Sequence, residues 1–69
     1  MIAVNKLKGK MVEKQISMDA LAKALGLNRS TLYRRLGNAD KYLTIREAKV
    51  IKATLGLSDD EATSIFFAR

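Results

Sequence analysis

An apolar residue followed at once by a side chain able to cap a helix occurs four times in this chain: Ile16-Ser17, Leu27-Asn28, Leu43-Thr44 and Leu57-Ser58. In each pair the capping oxygen can accept a hydrogen bond from an unpaired N–H of a first helical turn. The apolar residue before it can staple onto the fourth helical position, which is Leu21, Leu32, Ala48 and Ala62 in turn. Thr44 with Glu47, and Ser58 with Glu61, have the spacing of complete capping boxes. Gly26, Gly37 and Gly56 supply stops, because glycine takes the left-handed C-terminal conformation without a Cβ penalty. No proline interrupts the segments between these signals.

Apolar spacing fills the segments. Val4, Leu7 and Met11 mark a first helix, Leu21 and Leu25 a second, and Leu32 and Leu36 a third. Ile45, Ala48, Ile51 and Leu55 mark a fourth, and Ala62, Ile65 and Phe66 a fifth. Gly9 inside the first helix costs about 1 kcal/mol relative to Ala. No alternating run has turn residues on both sides, so no sheet is required. The expectation is an all-α fold of five short helices, forming a single domain over residues 1–69.

Composition narrows the chemistry. The chain has no Cys and no His, which removes disulfides, zinc fingers and any site built on a thiol or imidazole. Nucleophilic and general acid–base catalysis lose their usual residues with them. The seven acids form no metal-site spacing, and Asp59-Asp60-Glu61 is accounted for by the dipole of the helix it opens. No glycine-rich phosphate loop is present. The chain is therefore not expected to be an enzyme, and no catalytic residue, metal, cofactor or small-molecule ligand is expected. A Lys, Arg, Asp or Glu interrupts every run well short of the roughly 20 apolar residues of a membrane span. Lys6, Lys8 and Lys10 break up the place where a signal peptide would be apolar. A soluble cytoplasmic protein with no membrane partner is expected.

Charge points to a partner. Thirteen Lys and Arg against seven Asp and Glu give a net charge of +6. Between residues 20 and 39 stand Lys23, Arg29, Arg34 and Arg35 with no acid, whereas the last twelve residues hold three acids and one base. A basic middle with an acidic end suits a chain that lays one face on a polyanion. Lys6, Lys8, Lys10 and Lys14 could form a basic arm or a solvated face of the first helix.

The second and third helices are joined by only Gly26-Leu27-Asn28, and so tight a connection sets two helices at a steep angle. Ala22 is small enough for close approach, Gly26 can take the turn conformation, and Leu27 can plug the junction. Residues 18–36, MDALAKALGLNRSTLYRRL, resemble the helix-turn-helix of phage Cro and cI-type repressors and of the larger XRE-like regulator family. The match covers Ala22, Gly26 four residues on, and the apolar positions around them. With one helix before the motif and two after it, the resemblance spans almost the whole chain. It implies a lambda-repressor-like domain with its helix-turn-helix at about residues 17–36. The implied activity is transcriptional regulation through double-stranded operator DNA, in the manner of a small phage or prophage Cro-like repressor in a bacterial host. With 69 residues, a separate ligand or oligomerisation domain is not expected.

In this family the start of the third helix enters the major groove. The resemblance thereby assigns base contacts to Arg29, Ser30, Tyr33 and Arg34. Arg can pair bidentately with guanine, and Ser can donate or accept. Backbone contacts fall to Ser17, Lys23, Asn28, Asn38, Lys41 and Arg46, with Asn28 also capping its helix. Two positions depart from the family pattern. Met18 stands where a phosphate-anchoring glutamine is common, leaving that contact to Ser17, the helix amides or a neighbour. Arg35 stands where an apolar side chain often packs, so either Leu36 takes over the packing or the Arg35 stem lies along the core edge. Arg34 and Arg35 point about 100° apart and so have different tasks.

A homodimer is the expected assembly, at least on DNA. Phe67 points well away from Ile65, and a monomer this small can hardly bury both with Phe66, which places Phe67 with Thr63 at or near the dimer contact, or else folds Phe67 back under the N-terminal segment near Ile2. A second reading keeps the fold but makes the chain a protein-interaction module, an antirepressor or modulator that binds a larger repressor through its acidic, apolar last helix. RNA binding is disfavoured, because only Tyr33 and Tyr42 lie near the basic residues as aromatics.

Overall fold

Capping and apolar spacing produce a wholly helical chain. The structure, a computed structural model, describes residues 2–67. It contains α1 (Val4–Lys14), α2 (Met18–Leu25), α3 (Arg29–Gly37), α4 (Ala39–Tyr42), α5 (Ile45–Leu55) and α6 (Asp59–Phe66), and no strand among the described residues. All four caps form as the side-chain chemistry dictates. Ser17, Asn28, Thr44 and Ser58 each accept a hydrogen bond from the backbone three residues on, and both capping boxes are complete.

The helix count exceeds the expected five by one. Residues 39–42 form a single turn, too short for any apolar period to announce. Ala39, 5% exposed, anchors it, and the Asn38 carbonyl accepts from the N–H groups of Lys41 and Tyr42 at 3.1 Å. Gly37 is also not a stop of the expected kind. It is the last residue of α3, and Asn38 ends that helix with φ −140°. The chain passes into α4 without a left-handed residue, so the freedom of glycine is not used there.

Three connections are built the same way. A left-handed residue, an apolar residue and a capping residue follow one another at Gln15-Ile16-Ser17, Gly26-Leu27-Asn28 and Gly56-Leu57-Ser58. In each, the apolar residue's N–H reaches back to a carbonyl in the preceding helix: Ile16 to Met11, Leu27 to Ala22 and Leu57 to Lys52. These bonds close the helix C-terminus with a Schellman pattern, and the capping residue opens the next helix within one further position. Glycine meets the left-handed requirement at φ 71° and 62°, but the first connection places Gln15 at φ 58°. Leu57 is buried, whereas Ile16 packs against the core from its edge. Leu27 is only half-buried at its junction, short of the full plug expected of it.

Packing converges on Leu7, Leu21, Leu32, Ile51 and Ile65, the five largest fully buried side chains, one from each of the longer helices. Met11, Ala22, Leu36, Leu55, Leu57 and Phe66 complete this core, with Val4, Leu25, Ala48 and Ala62 at its margin. Ala22 is 2% exposed on α2, which packs against both α3 and α5, so its methyl-sized side chain permits the close approach. Ile45 is a correction. Expected on the buried face of its helix, it is 75% exposed, because at about 100° per residue it points about 100° away from the mean direction of Ile51 and Leu55.

Charges tie the helices together at their starts. Glu61 closes its capping box with the Ser58 N–H at 2.9 Å and also meets Lys10 of α1 at 2.5 Å. Hydrogen bonding from Lys10, then from the Ser58 backbone, lowers the Glu61 carboxyl to a pKa of about 2, and the same pair raises that of Lys10. Lys6 reaches Ser64 on the same side, so these lysines belong to a helix face and not to an arm. The N-terminal segment is fixed by Ala3 donating to the Ile65 carbonyl and Ile2 donating to Asp40, each at 2.7 Å.

The connections predict opposite outcomes for two substitutions. A non-glycine residue in the left-handed region costs roughly 1–2 kcal/mol, partly offset in a Gly variant by its freer unfolded chain. Gln15→Gly should therefore stabilise by about 0.5–1 kcal/mol, whereas Gly26→Ala should destabilise by about 1 kcal/mol. Thermal midpoints should separate by roughly 4–8 °C per kcal/mol in a domain of this size. Equal midpoints for both variants would contradict the left-handed assignment.

Candidate nucleic-acid interface

The orientation of α3 follows from its two apolar residues. Leu32 and Leu36, one turn apart, are buried, so the other side of the helix stands in solvent. Arg29, Ser30, Tyr33 and Arg34 are all exposed. The four expected base-contact residues are thus accessible on α3 but border two grooves, Arg29 and Tyr33 beside the start of α2 and Arg34 beside Tyr42. Asn28 accepts from the Thr31 N–H at 2.7 Å, which occupies its carbonyl and leaves its amide NH₂ outward. Ser17 accepts from the Ala20 N–H at 3.0 Å and retains its own hydroxyl proton to donate.

Arg29 is held from two sides. Its guanidinium lies over the Tyr33 ring, 5.8 Å from the centroid, and 3.7 Å from a carboxylate oxygen of Asp19 in the first turn of α2. Asp19 was not foreseen at this surface. Its position near a helix start reads in sequence as a favourable dipole contact, and only the packing of α2 on α3 carries it to Arg29.

The adjacent arginines diverge as expected. Arg35 pairs with Glu47, the glutamate that also accepts from the Thr44 N–H at 3.1 Å in the α5 capping box. Leu36 takes the buried place beside it, 3% exposed. Arg35 is thereby committed to joining α3 to α5. Arg34 makes no ion pair among the described residues, and lines a groove of about 460 Å³ with Thr31, Arg35 and Tyr42. Lys41 lies over the Tyr42 ring at 5.3 Å from its centroid. Two hydroxyls and a stacked lysine thus flank Arg34. Tyr42, noted in the sequence only as an aromatic near the basic residues, reaches the groove through the unforeseen turn α4, and Thr31 carried no sequence signal for it.

The flanking candidates are less gathered. Lys23, Asn38, Lys41 and Arg46 are all exposed, but no hydrogen bond or ion pair among the described residues joins Lys23 or Arg46 to the α3 surface. On another face, Thr63 and Phe67 border a groove of about 320 Å³ between α5 and α6. Phe67 is 71% exposed and shares this groove with the exposed Ile45, whereas the exposed Val12 lies apart, beside Tyr33. Among the described residues no group of acids could hold a metal, and no helix is long and apolar enough to cross a membrane. No protein-family model, curated protein or solved structure matches this chain.

The division of labour between neighbouring arginines has a measurable consequence. Arg35→Ala should lower stability by about 1 kcal/mol, from the lost pair and the lost cover of its stem. Arg34→Ala should stay within about 0.5 kcal/mol of the parent. Urea unfolding of both variants distinguishes them, and equal midpoints would remove the structural role given to Arg35.

Proposed function

We propose that this chain is a sequence-specific DNA-binding regulator of transcription. In this reading α2 and α3 are the helix-turn-helix of a lambda-repressor-like domain, and α3 enters the major groove of operator DNA. The observation that carries the proposal is that Arg29, Ser30, Tyr33 and Arg34 are all exposed on α3, a helix held in the fold by the buried Leu32 and Leu36. A helix presenting guanidinium and hydroxyl groups from its first turns matches the donors and acceptors on guanine and its neighbours. The net charge of +6 supplies the non-specific attraction to phosphate. Ser17, Asn28, Asn38, Lys41, Lys23 and Arg46 are the proposed backbone contacts, and the first three retain free donor groups or exposed side chains suited to that task.

Regulation then needs no chemistry. Occupancy of an operator blocks or recruits polymerase, as in the small Cro-like repressors that the sequence resembles. The proposed binding unit is a homodimer, joined through the α5–α6 groove where Ile45 and Phe67 are exposed beside Thr63. Two copies would cover these side chains and present two α3 helices to two half-sites. The same exposed pair also favours the second reading, a modulator that docks on a larger repressor. DNA binding is preferred because that reading leaves the α3 surface without a purpose.

Selection from random duplexes with the purified protein tests the proposal and returns the site. On that site Arg29→Ala should cost about 1–3 kcal/mol and affect random DNA much less. Lys41→Ala should weaken both duplexes by similar factors and reduce the salt slope by about one unit. Absence of any DNA binding at low salt would transfer the function to the protein-docking reading.

The assembly is tested separately. Phe67→Ser should convert a dimer to a monomer in sedimentation with unchanged helicity, since Phe67 lies outside the monomer core. A wild-type protein that sediments as a monomer even on DNA would reject the proposed groove contact.

A further inference from the structure

The acid on the basic surface has no part in the proposal so far. Asp19 is the second residue of α2, and its carboxylate lies 3.7 Å from the guanidinium of Arg29, the first residue of α3. Neither side chain is buried: 70% of Asp19 and 59% of Arg29 is exposed. Below the guanidinium lies the Tyr33 ring. Carboxylate, guanidinium and ring therefore form one assembly across the two helices, open to solvent on its remaining side. Other acids with a described ion pair lie elsewhere: Glu13 and Glu61 hold Lys10, Asp59 holds Lys52, and Glu47 holds Arg35.

We infer that Asp19 is the positioning residue for Arg29 and sets how well this surface distinguishes its preferred duplex from DNA at large. The inference rests on the DNA-binding reading of α3. Two physical effects act in the same direction. A guanidinium has five N–H donors in a fixed fork, so contact with Asp19 leaves other donors for the O6 and N7 of a guanine. Held between an acid and a ring, Arg29 loses less freedom when it makes that contact. The second effect is repulsive. Without Asp19, the amides at the start of α2 and the free guanidinium would both attract phosphate at any sequence. The carboxylate occupies that place with a negative charge, which weakens generic backbone binding. Discrimination by adding a penalty against the wrong partner is a general route to specificity.

The test compares the preferred duplex returned by selection with a random-sequence duplex of equal length. Asp19→Asn should tighten binding to the random duplex, weaken binding to the preferred one, and narrow their ratio by about three- to tenfold, the combined scale of two exposed charge effects. The salt slope on the random duplex should steepen by about one unit as Arg29 turns to a phosphate. Asp19→Glu, which keeps a carboxylate within reach of Arg29, should restore most of the ratio. In an Arg29→Ala background, Asp19→Asn should leave the ratio unchanged, which a role confined to the α2 dipole or to overall charge would not produce. An unaltered ratio in Asp19→Asn, or the same shift with and without Arg29, would overturn the inference while leaving the DNA-binding reading intact. If the parent protein binds neither duplex, the DNA-binding reading fails, and this inference with it.

Discussion

Five aliphatic side chains leaving water together are what the rest of this structure depends on. Leu7, Leu21, Leu32, Ile51 and Ile65 come from five different helices, and none of those helices is long enough to be stable alone. Each full burial contributes about 1.5–3 kcal/mol, and each helix adds one further buried side chain to the same core. A domain this small buries a modest fraction of its surface, which leaves little redundancy if one contact is lost. The surface proposed to meet DNA is a consequence of this packing, since burying Leu32 and Leu36 dictates which side of α3 faces solvent.

Economy in the polar groups supports the same arrangement. Glu47 and Glu61 each close a capping box with one oxygen and receive a cation from another helix with the other, Arg35 from α3 and Lys10 from α1. One residue thus satisfies the start of its own helix and fixes that helix against a second. The pairing also sorts the bases. Arg35 and Lys10 are used within the fold, whereas Arg34, Lys41 and Lys23 make no ion pair among the described residues. Positive charge alone would not have separated these groups.

Two of the apolar residues that the core does not cover, Ile45 and Phe67, carry the proposed assembly. Ile45 sits on the first turn of α5 and points about 100° away from the mean direction of Ile51 and Leu55. Phe67 follows the last turn of α6, where the chain has passed Ile65 and Phe66. Their meeting in one groove joins two helix ends that spacing arguments treat separately. Large exposed apolar side chains brought together are a recognised mark of a protein contact.

Local chemistry determined much of this protein before any packing. The four N-caps, both capping boxes, the stops at Gly26 and Gly56, and the buried faces of α2 and α3 all follow from bonds and periods that span four residues or fewer. The exposure of Ser30, Tyr33 and Arg34 was legible for the same reason, because Leu32 and Leu36 mark the buried face of their helix. Gln15 in the left-handed region, the single turn α4 and the half-burial of Leu27 were not legible. Each depends on where a neighbouring helix lies, and a local signal is silent or misleading when the neighbour supplies the stabilisation. The electrostatic partners belong to this second class: Asp19 with Arg29, Arg35 with Glu47, and Lys10 with Glu61 are set by distances between helices. Sequence therefore determined which groups this surface offers, and the tertiary structure decided which of them are free to act, because charge pairing depends on proximity in space that chain order does not encode.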